Sequence, residues 1–246
     1  MKRFYYDLHV HSCLSPCADD DNTPNNIAGM AALSGINILA LTDHNSTKNC
    51  PAFFTAAERY GIVPVAGMEL TTSEDIHIVC LFPELDSAMR FGEYVDAHRA
   101  PIKNRPSIFG NQLILDGEDN VIGTEESLLS FATDISSVDL PDIVKEYSGI
   151  CYPAHIDREA NGIIAILGTF PVDTHFDCFE VRDKERIADL TEKHALSGKV
   201  HVISSDAHCL TDIRDAEFYF ELDCEDDSPE QIRRALFKKL GKETDL

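Results

Sequence analysis

Six short stretches of this sequence carry histidines and carboxylates in patterns suited to divalent cations. DLHVHS (7–12) places Asp7, His9 and His11 at alternate positions, so in a regular strand all three share one face. TDHN (42–45) adds Asp43 and His44, GMEL (67–70) adds Glu69, and DIHIV (75–79) adds His77. YPAHIDR (152–158) supplies His155 and Arg158, and SSDAH (204–208) supplies Asp206 and His208. Imidazole nitrogens and carboxylate oxygens are common donors to zinc, manganese and iron. Carboxylates crowded together without a cation would repel one another strongly. Each stretch alone has an ordinary explanation: a capping Asp or His, a salt bridge at Glu69, an N-cap at Asp206, a surface ion pair at Arg158. Their succession points to a multinuclear metal site. His98, His175, His194 and His201 fall outside these stretches and are assigned to surface or packing roles.

Such residues must be delivered by elements that end side by side. Each stretch lies in or closes an apolar run that reads as a strand: 4–11, 36–44, 62–70, 76–82, 150–155 and 199–208. Further strands read over 176–181 and 217–222. Between them, Thr23 caps a helix over 23–35 with Pro24 in its first turn and Gly35 as its stop, and a helix over 50–60 ends at Gly61. Helices are also predicted over 86–99, 140–149 with Gly149 as stop, 184–197 and 228–241. NQLILDGEDNVIG (111–123) reads as a hairpin turning at Asp116–Asn120, a small insertion in the rhythm. The alternation implies an α/β fold with a parallel sheet, and this number of units implies a closed or nearly closed barrel. A doubly wound sheet is the rival, with no GxGxxG or Walker motif to support it. In a parallel barrel the C-terminal strand ends converge on one face, where these side chains would meet.

The chain has 246 residues, 43% hydrophobic and 26% charged, which suits a soluble globular protein with a substantial core. It reads as a single domain over 1–246 with an insertion near 82–150. The net charge of −22 repels polynucleotide backbones and anionic membranes. A stable nucleic-acid complex and a membrane partner are therefore not expected. A small phosphorylated substrate, a nucleotide or a short oligonucleotide is compatible, because a local metal charge can outweigh the distant field. In the insertion, Arg99, Lys103 and Arg105 form a basic cluster that could receive a second phosphate or a nucleotide, or simply be a solvated loop. No signal-peptide pattern and no apolar run of bilayer length is visible, and the eight scattered cysteines form no CxxC pair. These features suggest reduced thiols and a cytoplasmic setting.

The motifs DLHVHS, LTDHN, GMEL, HIVCLF, PAHIDR and SSDAH run in order from residue 7 to about 210 and resemble those of the PHP (polymerase and histidinol phosphatase) family of metal-dependent phosphoesterases. The resemblance implies a distorted (β/α)7, TIM-like barrel related to the amidohydrolases. It also implies three divalent metal ions, drawn from zinc, manganese and iron. On this likeness His9, His11, Glu69 and Asp206 hold a first metal. Glu69 bridges to a second, held also by His77 and His155, and His44 and His208 hold a third. The remaining ligand of the third metal is, in the family, a His or Asp shortly after the HxH. A gapless match puts Cys17 there, and a small loop shift would substitute Asp19 or Asp20. A thiolate is a good zinc ligand. Arg158 matches an arginine that contacts substrate phosphate, as its planar guanidinium suits two phosphate oxygens. Asp7 would support the histidines by accepting an N–H, Asp43 would do the same in its neighbourhood, and Glu180 would back a ligand or touch substrate. Cys13 is expected to be a small buried packing residue, with no disulfide to Cys17.

The implied reaction is hydrolysis of a phosphate ester. A hydroxide shared by two metals would attack phosphorus in line, with the third metal and Arg158 neutralising the phosphoryl oxygens. Arg158, Asp206 and His208 are the candidate catalytic residues. Family members hydrolyse histidinol phosphate, nucleoside monophosphates, 3′,5′-bisphosphates and oligonucleotide ends, so the resemblance leaves substrate and general acid open. An amidohydrolase acting on C–N bonds would share the barrel and the HxH but would use a strand-end lysine, and none is apparent. A non-catalytic metal-binding module would be expected to lose ligands, and here nearly every position is filled. A polymerase-associated exonuclease module would need a basic track for DNA, against which the net charge argues.

Overall fold

In the computed structural model, which describes residues 1–171 and 174–241, helix boundaries follow capping chemistry. Thr23 accepts a hydrogen bond from the Asn26 N–H and opens α1 (Pro24–Leu33), with Pro24 in the first turn, where its missing N–H costs nothing. α2 (Cys50–Tyr60) ends at Gly61, which takes the left-handed conformation with φ 68°. There follow α3 (Leu85–Ala97), the one-turn α4 (Pro106–Phe109), α5 (Leu140–Glu146), the short α6 (Ile163–Leu167) and α7 (Ile187–Lys193). Ser228 caps α8 (Pro229–Lys239) by accepting from the Gln231 N–H. α4 and α6 are too short to show a helical period in sequence. The helix expected over 184–197 is a 3-10 turn, Lys184–Arg186, running into α7. The stop after α5 works differently from expectation. Ser148 takes the left-handed backbone with φ 60°. Gly149 is required for close packing: a Cβ there would lie 2.5 Å from the Phe82 ring and 2.7 Å from Val144 Cγ1.

The main sheet contains β1 (Lys2–Val10), β2 (Ile38–Leu41), β3 (Val63–Thr71), β4 (His77–Phe82), β7 (Ile150–Pro153) and β10 (Tyr219–Leu222), in the order β10-β1-β2-β3-β4-β7. β1, β2 and β3 are parallel, but β4 is antiparallel to both β3 and β7, and β10 is antiparallel to β1. The all-parallel expectation fails at β4 for a reason of length. β3 ends at Thr71 and β4 begins at His77, and a parallel crossover needs roughly a dozen residues or more. β5 (Leu113–Leu115) and β6 (Val121–Thr124) form the separate hairpin, where the Asp116 N–H donates to the Asn120 carbonyl (3.0 Å). β8 (Cys178–Glu180) and β9 (Val200–Val202) pair in parallel. Two seams join this pair to the sheet. The Ile156 N–H donates to the Glu180 carbonyl (2.9 Å), and the His11 N–H donates to the Ala207 carbonyl (2.9 Å). The result is an α/β fold whose strongly curled sheet makes a distorted (β/α)7 barrel, with β10 as an added edge.

Two apolar layers hold the barrel together. Leu8, Ile38, Ala40, Val65, Val79 and Leu81 pack inside with Ile232, Leu236 and Phe237 of α8. Leu39, Leu41, Met68, Ile78 and Cys80 pack outside with Ile27, Phe53 and Phe91 of α1, α2 and α3. Full burial of each large side chain contributes about 1.5–3 kcal/mol. Alternation along β3 and β4 puts Glu69 on the face of Val65, and His77 on the face of Val79 and Leu81. Apolar filling at one end of these strands thus gives way to ligands at the other.

In β1 the alternation breaks. Asp7 pairs with Leu39 and Val10 with Leu41, so β1 carries one extra residue across that interval. Tyr6 and Leu8 belong to the inner layer and Val10 to the outer one. The bulge therefore turns His9 and His11 inward after Leu8, and the shared face expected for Asp7, His9 and His11 does not form. Among the described residues no helix is long and apolar enough to cross a membrane.

Candidate metal centre

The donors gather where the strands of the barrel open. His9 and His11 lie at the end of β1, His44 beyond β2, Glu69 in β3, His155 beyond β7, and Asp206 and His208 beyond β9. His77 opens β4, and because that strand runs antiparallel its first residue arrives where the others deliver their last. His77 and His208 are partly exposed and the rest are buried.

The spacings are those of a coordination sphere. His9 Nε2 lies 3.1 Å from His11 Nε2 and 3.4 Å from both Glu69 Oε1 and Asp206 Oδ1. His11 Nε2 lies 3.4 Å from Glu69 Oε2 and from Asp206 Oδ1. Donors about 2.0–2.1 Å from a tetrahedral ion are about 3.3 Å apart, so these four side chains fit one divalent cation. Glu69 Oε1 also meets His77 Nδ1 at 2.9 Å and His155 Nε2 at 3.0 Å. His44 Nδ1 lies 3.2 Å from Glu69 Oε2 yet has no hydrogen-bond partner. A buried, unpartnered imidazole nitrogen this near a carboxylate, without a hydrogen bond to it, suits a cation that both could bind.

Three groupings result, each with donor atoms within 4.8 Å of one another: His9, His11, Glu69 and Asp206; His44, Glu69 and His77; His11, His44 and His208. Glu69 stands in the first two and His11 in the first and third. His155 reaches Glu69 from outside the second grouping. Cys17 belongs to none of them. It is exposed on the loop after β1, although local burial and the carboxylates Glu69 and Asp206 push its thiol up to about 12. Asp19 and Asp20 are exposed on the same loop. That loop rests on the site, since the Asp19 N–H donates to the His208 carbonyl (2.9 Å) while Asp20 accepts from Asn111 (2.7 Å). Cys13 is buried and free.

The rings are oriented from behind. His9 Nδ1 faces both Glu180 oxygens at 3.0 and 3.1 Å. A carboxylate only accepts, so Nδ1 carries a proton and Nε2 is the atom left to face a cation inside the cluster. His11 Nδ1 meets Ser15 Oγ at 3.1 Å, and that hydroxyl donates to Asp43 (2.7 Å). Asp43 also accepts from the Ser12 N–H and hydroxyl, both at 2.7 Å. His208 Nδ1–H donates to the Asp206 carbonyl (2.8 Å), leaving Nε2 free. Asp7, expected behind a ring, instead accepts the backbone N–H groups of His9 (3.3 Å) and Ser205 (3.1 Å). The bulge turned it away from the rings. Ser12 and Ser15 went unremarked in the sequence, although HSCLS places both within four residues of His11.

The cluster balances its own charges. Burial lowers His9, but Glu180, Glu69 and Asp206 outweigh it and hold the ring well above its ordinary value. His11 is raised to about 9, because contacts with Asp206 and Glu69 overcome the cost of burial. Burial would raise Glu69 and Asp206, yet the surrounding imidazoles hold both well below the usual carboxylate range. Burial and the neighbouring His11 push His44 well down and His208 to about 4. Asp7 and Asp43 are raised by burial.

Two guanidinium groups stand at the rim. Arg158 Nη1 donates to Asp206 Oδ2 (2.9 Å), and Arg182 Nη1 lies 3.6 Å from the same oxygen. Arg182, two residues after Glu180, was not singled out from the sequence; its place beyond a strand end was the available signal. The proposed basic cluster is divided. Arg99 is buried in ion pairs with Asp96 and Glu125, while Lys103 and Arg105 are exposed. His98 donates to the Tyr94 carbonyl (2.7 Å), His175 and His201 are exposed, and neither they nor His194 enter a grouping. A cavity of 570 Å³ lies at the opposite ends of β7 and β9, beside Ile150, Val200 and His175, and is lined by no residue of the three donor groupings.

Comparison with known proteins places this geometry in context. The PHP domain family model matches residues 7–195. The chain is 38% identical over 77 residues to an error-prone DNA polymerase of Symbiobacterium thermophilum, 31% of this chain and 7% of that protein. It is 37% identical over 79 residues to a 5′-3′ exoribonuclease of Haemophilus influenzae, 31% of this chain and 28% of that protein. Its fold matches the lesion-specific endonuclease of Pyrococcus furiosus with a TM-score of 0.66 at 19% identity, over 98% of this chain and 57% of the endonuclease.

Proposed function

The chain belongs to the PHP-domain family, and from that premise we propose that it is a metal-dependent phosphoesterase, hydrolysing phosphate esters of small molecules, nucleotides or short oligonucleotide ends. The observation that carries this reading is the meeting of four buried donors at coordination spacing with two arginines over one of them. We assign His9, His11, Glu69 and Asp206 to one divalent ion, Glu69, His77 and His155 to a second, and His44 and His208 to a third. The last is completed by His11 or by Cys17, Asp19 or Asp20 on the adjoining loop. Divalent ions at such a site supply Lewis acidity and an activated water at neutral pH.

The chain's own side chains do the rest. Arg158 and Arg182 bind phosphoryl oxygens, which a planar guanidinium does through paired N–H donors. Asp206 holds both guanidinium groups at the rim until a phosphate takes their N–H groups. His208, partly exposed on the same turn, keeps Nε2 for the third ion while its Nδ1–H is held by the Asp206 carbonyl. The segment between β4 and β7 carries the exposed Lys103 and Arg105 and shapes the approach. The net charge of −22 favours small or single-stranded substrates over long duplexes. The nucleic-acid enzymes among its relatives make nucleotides and oligonucleotide ends the first compounds to try.

The test is metal analysis of the purified protein, followed by a panel of phosphomonoesters, bisphosphates, short oligonucleotides and carboxamides. Metal-dependent release of phosphate or nucleotide is expected. Turnover confined to the amides would replace this reading with C–N hydrolysis, and an inert, metal-loaded protein would point to a binding module.

A further inference from the structure

Glu180 is fully buried, and its two oxygens do two jobs. Both face His9 Nδ1, at 3.0 and 3.1 Å, and Oε1 also accepts the backbone N–H of His155 (3.1 Å). His155 needs holding. Its backbone is left-handed (φ 30°), a conformation that costs a non-glycine residue energy unless its surroundings enforce it. It also follows one of the two seams of the barrel that no ladder spans: β7 pairs with β4 and β8 with β9, and no ladder joins β7 to β8 among the described residues. At that seam the Ile156 N–H donates to the Glu180 carbonyl (2.9 Å), so Glu180 bridges the gap with both backbone and side chain, next to Asp157, which accepts the Arg182 and Asp183 N–H groups.

We infer that Glu180 is a positioning residue that couples two metal positions, fixing the ring of His9 for one and the backbone of His155 for the other. The inference rests on the metal assignment proposed above. A change at Glu180 should therefore weaken two sites together, although Glu180 is in none of the donor groupings.

Glu180→Gln preserves size but removes the charge that strengthens both contacts and puts an amide N–H₂ where one carboxylate oxygen stood beside the His9 Nδ1–H. The test is titration of chelator-treated wild-type and variant protein with Co²⁺, followed by visible absorption and calorimetry, which needs no substrate. Loss of such a supporting contact is expected to weaken binding by about 10–100-fold, here at two sites, with altered Co²⁺ bands and an unchanged circular dichroism spectrum. If the variant does not fold, Glu180→Asp, which keeps the charge one methylene short, takes the same test. Wild-type affinity and bands in the variant would overturn the inference. So would a lower melting temperature without a change in Co²⁺ affinity, which marks a merely structural role, or weakening at one site alone. A wild-type protein that binds Co²⁺ but turns over no phosphate ester counts against the proposed reaction and leaves this result standing.

Discussion

Replacing Gly67 with alanine tests the strand spacing on which the donor cluster depends. Gly67 lies in β3, two residues before Glu69, opposite Leu81 of β4. A Cβ there would lie 2.5 Å from the Cys80 carbonyl oxygen, 2.8 Å from Leu81 Cδ2 and 3.2 Å from Thr42 Cγ2. The nearest atom belongs to the backbone of the paired strand and cannot rotate aside. We expect a cost of about 2–3 kcal/mol, the upper part of the overpacking range. For a chain of this size each kcal/mol lowers the melting temperature by about 2–4 °C, so the fall should be roughly 4–12 °C in calorimetry of the chelator-treated protein. β3 carries Glu69 and β4 carries His77, so forcing the strands apart should also weaken metal binding. Gly123→Ala is the control: its nearest neighbours would be 3.8 and 3.9 Å away, an ordinary contact, and a change within about 0.5 kcal/mol is expected. If Gly67→Ala melts with the wild type, the tight β3–β4 approach is not what holds the two ligands in place.

Glu69→Gln should keep the fold and lose most bound metal, because Glu69 shares its oxygens among five histidines; elemental analysis showing full loading would refute the shared role. Arg182→Ala should lower kcat/KM for phosphate esters by roughly 10–100-fold, as expected for one charge-assisted contact of about 1.5–3 kcal/mol, with metal content unchanged; steady-state kinetics that match the wild type would remove Arg182 from the site. Cys17→Ala separates the candidates for the last ligand: a loss of one metal per chain by elemental analysis supports the thiolate, and full loading supports His11 or the aspartates. For pH, His11 is held at about 9 in the folded chain against about 6.5 when unfolded. A raised value contributes stability that is complete below the unfolded value and lost as pH rises through the folded one. The chelator-treated protein should therefore melt lower at pH 9 than at pH 6.5, and saturating divalent cation should reduce that difference. A melting temperature that rises over this interval would contradict the charge balance drawn for the cluster.

Much of the molecule was legible because local chemistry decides it. Thr23, Pro24, Gly61 and Ser228 place helix ends through caps and backbone preferences that involve only their neighbours in the chain. The donor types were equally plain in succession, since caps and ion pairs explain one imidazole or carboxylate at a strand end but not six strand ends in a row. The direction of β4 was also readable in hindsight: the short step from Thr71 to His77 admits a hairpin and no crossover.

What the sequence by itself determined is therefore the inventory of donors, their order along the chain and most of the elements that carry them. Tertiary structure decided which side chains meet. The bulge in β1 sends Asp7 to backbone N–H groups and brings His9 and His11 inward, and it exists only in the register between β1 and β2. Glu180 lies 171 residues from the ring it faces, and Arg158 lies 48 residues from Asp206. His11 joins two donor groupings because β2 and the segment after β9 both arrive beside it. The physical reason is common to all of these. Residue type and period are properties of a segment, whereas the aim of a side chain depends on the register and curl of strands that pair only after the chain has closed.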